Sequence, residues 1–125
     1  MSYGHDRTVI PVQIASGTAL SAEVNVGGKT IVGIQMPAGW DTAGISFAAL
    51  IREPSALPKV PVYGKVQDSA GTEVVVLTPA LDTYVAIAPS VATRALGRIK
   101  VRSGVAATPV NRTATRDFFL VCDDD

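Results

Sequence analysis

The chain has 125 residues, 47% of them hydrophobic and 18% charged, and its eleven basic side chains balance eleven acidic ones. A chain of this length buries roughly two-thirds of its unfolded surface in one core, which predicts a single globular domain. The neutral charge argues against nucleic-acid binding by phosphate neutralisation, and no uncharged apolar stretch approaches the ~18–20 residues of a membrane span, so neither partner is expected.

Strand patterns fill the N-terminal half. Apolar side chains alternate through residues 10–14, the period that places every second side chain on one face of a strand. Pro11 cannot donate to a sheet ladder on both sides, so it predicts an edge strand or a first strand. Gly27-Gly28 suits a tight hairpin between the second and third strands. The strands predicted in this half are residues 9–14, 22–26, 29–36 and 45–51.

The C-terminal half continues the same pattern. Residues 53–58 contain two prolines and predict a surface loop, and residues 68–71 predict a turn. Residues 90–96, with Ser90 as a cap, have the only helical character, at most one or two turns. The remaining strands are predicted at residues 60–66, 73–77 (buried and β-branched), 83–88, 97–103 and 114–122. Eight to nine short strands predict an all-β, single-domain antiparallel β-sandwich or jelly roll.

The ends of the chain differ from its middle. We expect a flexible N-terminal arm over residues 1–8, a β-sandwich domain over residues 9–122 and an acidic C-terminal tail over residues 123–125. The arm has no basic start followed by an apolar block, so no secretory signal is expected. The default interpretation of the tail is a solvated segment, because consecutive carboxylates at a chain end rarely surround a calcium ion.

Few residues suit catalysis. One Cys and one His cannot by themselves form a disulfide, a zinc site or a Cys/His nucleophile pair. Cys122 lies in an apolar run and is expected to be buried and inert, and His5 is expected to be exposed in the arm. No catalytic, cofactor or metal site is predicted, and an enzyme is not expected.

A basic row stands out late in the chain. Residues 83–116 contain six basic residues and no acidic one: Arg94, Arg98, Lys100, Arg102, Arg112 and Arg116. In a strand, Arg98, Lys100 and Arg102 share one face while Ile99 and Val101 face the core. Two interpretations remain open. The row is either a solvated outer face or a docking surface, in which the repulsion between the like charges is relieved by acidic side chains of the chain's own tail or of another subunit.

Trp40 is the only tryptophan, and it lies in the turn-like segment of residues 37–41. Three interpretations remain open for its ring: a plug at the end of the sandwich, an anchor at a protein interface, and a stacking platform for a sugar. The last two require an exposed ring.

Several segments together resemble a group of small virion proteins of tailed phages and prophages. They are residues 14–21, 31–40, 47–49, 68–74 and 97–104. The pattern is also similar to galactose-binding-like jelly rolls of the discoidin type, in which a Gly-Trp turn precedes a strand and an Arg-Ile-x-Val-Arg strand comes late. The chain departs from the discoidin pattern because it lacks paired cysteines and because residues 53–58 replace an acidic-Gly turn.

The virion resemblance implies a capsid decoration, or cement, protein. Such a protein binds the assembled phage head, clamps neighbouring capsomers and is often a trimer, so the expected partners are the major capsid protein and further copies of this chain. The expected location is the capsid surface, after assembly in the host cytoplasm. The alternative function is a glycan- or receptor-binding β-sandwich module of a phage spike or tail. The expected contact residues are Ser2, Tyr3, His5, Arg7, Trp40, Pro54, Leu57, Pro58, Arg98, Lys100 and Arg102.

Overall fold

The computed structural model describes residues 7–40, 43–52, 62–76, 81–87 and 96–123. Nine strands and no helix lie in these ranges: β1 (Arg7–Ile14), β2 (Val24–Gly27), β3 (Thr30–Gln35), β4 (Ile45–Arg52), β5 (Val62–Lys65), β6 (Val75–Val76), β7 (Tyr84–Ala86), β8 (Gly97–Ser103) and β9 (Arg116–Asp123). The predicted all-β class is confirmed. The loop of residues 53–58, and residues 90–95 of the helical stretch predicted at residues 90–96, lie outside the described residues.

The strands form two antiparallel sheets. Sheet A has the strand order β1-β9-β3-β7, and sheet B has the order β2-β8-β4-β5, with β6 pairing the start of β4. The pairing is nested, because β1 pairs β9, β2 pairs β8, β3 pairs β7 and β4 pairs β5. A long antiparallel ribbon whose paired strands lie alternately in the two sheets of a sandwich is the jelly-roll arrangement.

One hydrophobic core lies between the sheets. Sheet A contributes Val12, Ile14, Ile31, Ile34, Phe118 and Leu120, and sheet B contributes Val24, Val26, Ile45, Phe47, Ile99 and Val101. The period-two alternation of the strands produces this arrangement, because every second side chain faces the opposite sheet. The predicted burial of Cys122 is confirmed, and β1 lies at the edge of sheet A, where Pro11 is tolerated.

The predicted hairpin at Gly27-Gly28 is wrong. A turn does form, with the Lys29 N–H donating to the Val26 carbonyl at 3.1 Å. However, β2 pairs β8 in sheet B, whereas β3 pairs β9 and β7 in sheet A. The apolar faces of β2 and β3 enter the core from opposite sides, so the chain crosses between sheets at this turn.

Element boundaries also differ from the sequence prediction. Arg7 and Thr8, expected in the arm, belong to β1 and pair with Asp123 and Cys122 of β9, so Asp123 is part of a strand rather than of the tail. Within the segment predicted as a buried strand at residues 73–77, residues 75–76 form β6, whose side chains are half-buried, and residue 77 lies outside the described residues. In the described part, β6 pairs with Ile45 and Ser46 at the start of β4.

Candidate interaction surfaces

The outer face of sheet B carries the predicted basic row. Along β8, Arg98, Lys100 and Arg102 alternate with Ile99 and Val101, which are fully buried in the core. The three basic side chains therefore share the outer face, as the sequence predicted. Their surroundings differ along the strand, and these surroundings decide which of them a partner can reach.

Arg98 and Lys100 lie beside Tyr63 of β5. The Arg98 Nε lies 3.8 Å from a carboxylate oxygen of Glu23, and the Tyr63 hydroxyl donates to the other oxygen of that carboxylate. The Lys100 Nζ lies 4.8 Å from the centre of the Tyr63 ring, in a cation–π contact. Glu23 and Tyr63 therefore hold the two cations side by side on the surface of the sheet.

Lys65 completes this cluster. Both Lys65 and Lys100 pair with Ala48 in the register of the sheet, from opposite sides. Their Cα atoms are therefore about two strand spacings, or ~10 Å, apart. We call Tyr63, Lys65, Arg98 and Lys100 the basic face.

Arg102 belongs to a different environment. Its Nη1 lies 3.4 Å from Glu73 Oε2 and donates to Ser46 Oγ at 3.3 Å, and only 11% of the Arg102 side chain and 17% of the Glu73 side chain are exposed. The Glu73 carboxylate also accepts a hydrogen bond from the Ala106 N–H, and the shorter of the two nitrogen–oxygen distances is 3.1 Å. The pair ties β8 to β4, to the segment before β6 and to the loop after β8. Arg102 is therefore part of the fold rather than of the basic face.

The predicted six-residue basic cluster is not one surface. Arg116 lies on β9 in sheet A, and Arg112 is 1% exposed with its guanidinium 4.4 Å from the centre of the Trp40 ring. Glu23 and Glu73 are acidic partners of the row, and Asp123 of the predicted tail pairs with Arg7 at 3.5 Å. Arg94 lies outside the described residues.

Trp40 is a plug and not an exposed anchor. It is 9% exposed, its ring meets Phe118 edge-on with 5.6 Å between centroids, and its Nε1 donates to the Ala43 carbonyl at 3.1 Å. Arg112 covers the other side of the ring. The expectation of Trp40 as a contact residue is corrected, and the glycan-binding alternative loses the exposed tryptophan that motivated it.

The outer face of sheet A is apolar, which the sequence prediction missed. Val9 is 58% exposed, Phe119 42% and Tyr84 39%. The register places Pro11, Phe119, Gln35 and Tyr84 in one row across the four strands, beside a row of Val9, Val121, Gly33 and Ala86. We call the exposed set Val9, Pro11, Tyr84 and Phe119 the apolar face. Contiguous exposed apolar surface of this kind marks interaction sites in soluble proteins.

Tyr84 lies flat on this face. A Cβ built on Gly33 would collide with the Tyr84 ring, and the Tyr84 hydroxyl donates to the Val32 carbonyl at 3.3 Å. Arg7 reaches the same ring from the edge strand, with 5.9 Å between its guanidinium carbon and the ring centre. The ring therefore lies over Gly33, whose register partner Val121 is buried although it points outward.

A sequence signal for the apolar face did exist. The period-two assignment of β1, with Ile10, Val12 and Ile14 inward, already places Val9 and Pro11 outward. In β9, however, Phe118, Phe119, Leu120 and Val121 are consecutive apolar residues, and this run does not indicate which alternate set faces the core.

The remaining expected contact residues lie outside the described residues. They are Ser2, Tyr3 and His5 of the arm and Pro54, Leu57 and Pro58 of the proline-rich loop. Arg7 is described, on β1, at a corner of the apolar face.

In the part of the chain that the structure describes, no three His, Cys, Asp or Glu side chains converge as a metal site would require. The same part contains no helix with the length and hydrophobicity of a bilayer-spanning segment. No model of a known protein family matches the chain, and no curated protein matches it.

Proposed function

We propose that this chain is a structural protein of a phage virion, a capsid decoration protein that binds the assembled head and stabilises it without catalysing a reaction. The resemblance to small virion proteins motivates the proposal, and the jelly roll is compatible with it because this fold occurs in capsid proteins. Since a fold alone does not determine function, the argument rests on a surface.

The single observation that supports the proposal is the basic face. It combines Tyr63 with Arg98, Lys65 and Lys100 on one side of a sheet. Tyr and Arg are enriched at protein interfaces because they contribute large contact areas with polar ends. An excess of cations here fits an acidic surface on the major capsid protein, and complementary charge speeds and orients docking.

Weak contacts suffice for this function. A ligand that binds the assembled shell but not its separate subunits stabilises the shell by mass action. Many copies on one lattice, each with a modest interface, add a large total stabilisation. If copies associate with one another, as the resemblance implies, several sites engage together and the avidity rises.

The test is co-sedimentation of the purified chain with shells of the virus that encodes it. We expect the double variant Lys65→Gln/Lys100→Gln to bind at least about tenfold more weakly, equivalent to ~1.4 kcal/mol. We also expect wild-type binding to weaken as salt rises, because exposed charges are screened. The matched control is Ser69→Glu/Ala107→Glu, which lowers the net charge equally at two exposed loop positions.

Three outcomes of this experiment would contradict different parts of the proposal. Full shell occupancy by Lys65→Gln/Lys100→Gln would remove the basic face from the proposal. Absence of binding by the wild-type chain at any salt concentration would remove the decoration function itself. Equal loss in the variant and in the charge-matched control would show that only net charge matters, which also contradicts a specific docking face.

A further inference from the structure

We propose that the apolar face pairs two copies of this chain around a two-fold axis. This inference concerns the opposite side of the sandwich from the basic face and does not depend on the proposed function. It rests on the shape of the face, on the charges at its two ends and on its area.

The shape of the face is self-complementary. One row contains the large side chains Phe119 and Gln35, and in the adjacent row Val9 is exposed at one end while the Tyr84 ring lies over Gly33 toward the other. The two-fold axis lies in the interface, runs across the strands and passes between these two rows. Rotation about it places each row of one copy against the other row of the second copy. Phe119 of one copy then packs against Val9 of the other, which is 58% exposed and lies at the end of its row away from the Tyr84 ring.

The ends of the face carry different charges. At one end Arg7 pairs with Asp123 at 3.5 Å, and at the other end Gln13 Nε2 donates to Asp117 Oδ1 at 2.8 Å. The same two-fold axis lays the Arg7 end of one copy over the Asp117 end of the second.

This overlap gives each Arg7 a second acidic partner. In the second copy, Asp117 lies one strand spacing (~4.8 Å) from the point that directly faces Arg7. The long arginine side chain can span this distance. Each Arg7 therefore lies between Asp123 of its own chain and Asp117 of the other. The arginine is 60% exposed in the single chain, so it is available for this contact.

The area of the face predicts a weak dimer. Across the sheet the face spans four strands spaced about 4.8 Å apart, and along the strands it spans six residue steps of ~3.4 Å. These dimensions give a footprint of roughly 400 Å² per copy. A stable interface of standard size buries about 800 Å² per partner. The pair is therefore expected at micromolar or higher protein concentration, and the two-fold symmetry specifies a dimer rather than the trimer that the virion resemblance implies.

Sedimentation equilibrium of the full chain, from about 1 to 500 µM, tests the proposal on the purified protein alone. We expect the wild type to pass from monomer to dimer in this range. Phe119→Ser should raise the dissociation constant at least about tenfold. The matched control is Leu20→Ser, which removes a side chain of similar exposure, 41%, at a residue that pairs with Arg102 of sheet B.

A charge exchange identifies the Arg7 contact. Arg7→Asp should weaken the dimer about fivefold or more, and Arg7→Asp/Asp117→Arg should restore it, because the exchanged charges again meet across the two-fold axis. A loss caused only by breaking the Arg7–Asp123 pair within one chain would not be restored by the change at Asp117. Far-UV circular dichroism checks that each variant is folded, and Val9→Ser replaces Phe119→Ser if the latter unfolds.

A wild-type monomer throughout the concentration range would overturn the proposal. So would a trimer, equal effects of Phe119→Ser and Leu20→Ser, or no restoration by the charge exchange. Shell binding has no part in these measurements, so their failure is distinguishable from failure of the decoration proposal.

Discussion

Three arginines that look alike in the sequence have different environments in the structure. Arg98 is exposed beside Glu23, Arg102 is largely buried against Glu73, and Arg112 is fully buried against Trp40. The alternation of the sequence correctly predicted that Arg98 and Arg102 face outward. It could not predict their partners, because Glu23 and Glu73 are distant in sequence and reach β8 only through sheet pairing.

The contrast between Arg98 and Arg102 gives a stability prediction. Arg102→Ala should lower the free energy of unfolding by about 1–3 kcal/mol, because it leaves the buried Glu73 carboxylate without its cation. Arg98→Ala should change it by less than ~0.5 kcal/mol, because its ion pair is exposed. Urea unfolding of both variants measures the difference. Equal losses would show that the burial of the Arg102–Glu73 pair has no energetic consequence.

Gly33 gives a second prediction at this scale. In most strands Gly→Ala stabilises slightly, because glycine loses more backbone entropy on folding. Here the new Cβ meets the far end of the Tyr84 ring, which is 39% exposed and must move away, so Gly33→Ala should destabilise by about 1 kcal/mol rather than stabilise.

The measurement is urea unfolding of Gly33→Ala, Tyr84→Ala and the double variant. In the double variant the added methyl group no longer meets a ring, so the combined loss should be smaller than the sum of the single losses. A neutral or stabilising Gly33→Ala would contradict the close approach of Tyr84 to the strand.

At the scale of elements, strand positions were largely predictable and strand partners were not. The alternation of apolar side chains identified β1, β4 and β8 together with their buried faces. It also identified β3, but there Ile31 is buried and Val32 only half-buried, because the register shifts between Ile31 and Gly33. The turn at Asp68 was also predictable, and its Oδ1 accepts the N–H groups of Ala70 and Thr72 at 2.9 and 3.0 Å. The Gly27-Gly28 hairpin failed because the same glycines serve a crossing between sheets, and local sequence does not distinguish the two.

The loop after β8 gives a prediction about glycine. Gly104 has φ +91°, and a Cβ there would lie 2.6 Å from the Thr108 carbonyl oxygen and 2.9 Å from the Val110 nitrogen. Gly71 has a similar φ of +87° and open space around it. Both Gly→Ala variants incur the left-handed backbone cost of about 1–2 kcal/mol, but only Gly104→Ala adds a backbone collision.

Thermal unfolding of the two variants compares them. Gly104→Ala should lower Tm by several degrees more than Gly71→Ala, because ~1 kcal/mol corresponds to about 4–8 °C in a small domain. Similar Tm shifts for the two variants would show that the loop adjusts to the added methyl group without loss of stability. The loop would then not hold β8 in place.

The position of β9 between β1 and β3 gives a prediction about thiol chemistry. Cys122 is fully buried in this central strand, so a thiol reagent should label it only as fast as the strand opens. We expect labelling by a disulfide reagent to be slow in buffer and fast in urea above the unfolding midpoint. Rapid labelling of the folded chain would contradict the central position of β9.

At the scale of the whole molecule, the jelly roll places the basic face and the apolar face on opposite sheets, although the strands that form them alternate along the sequence. Arg98 and Phe119 are both outward-facing strand residues, but they lie on opposite sheets and face away from each other. The sequence predicted the two-sheet class from strand number and alternation. The nested pairing, and with it the composition of each outer face, depends on contacts between the two ends of the chain, which periodicity does not encode.

We propose that the two outer faces of the sandwich bind two different protein surfaces. Electron cryomicroscopy of shells saturated with the purified chain, at a resolution that orients the sandwich, tests it most directly. We predict that Tyr63, Lys65 and Lys100 face the shell and that Val9 and Phe119 face a second copy across a two-fold axis. Density that places the apolar face on the shell, or that attaches the chain only by one end of the sandwich, would contradict this assignment of the two faces.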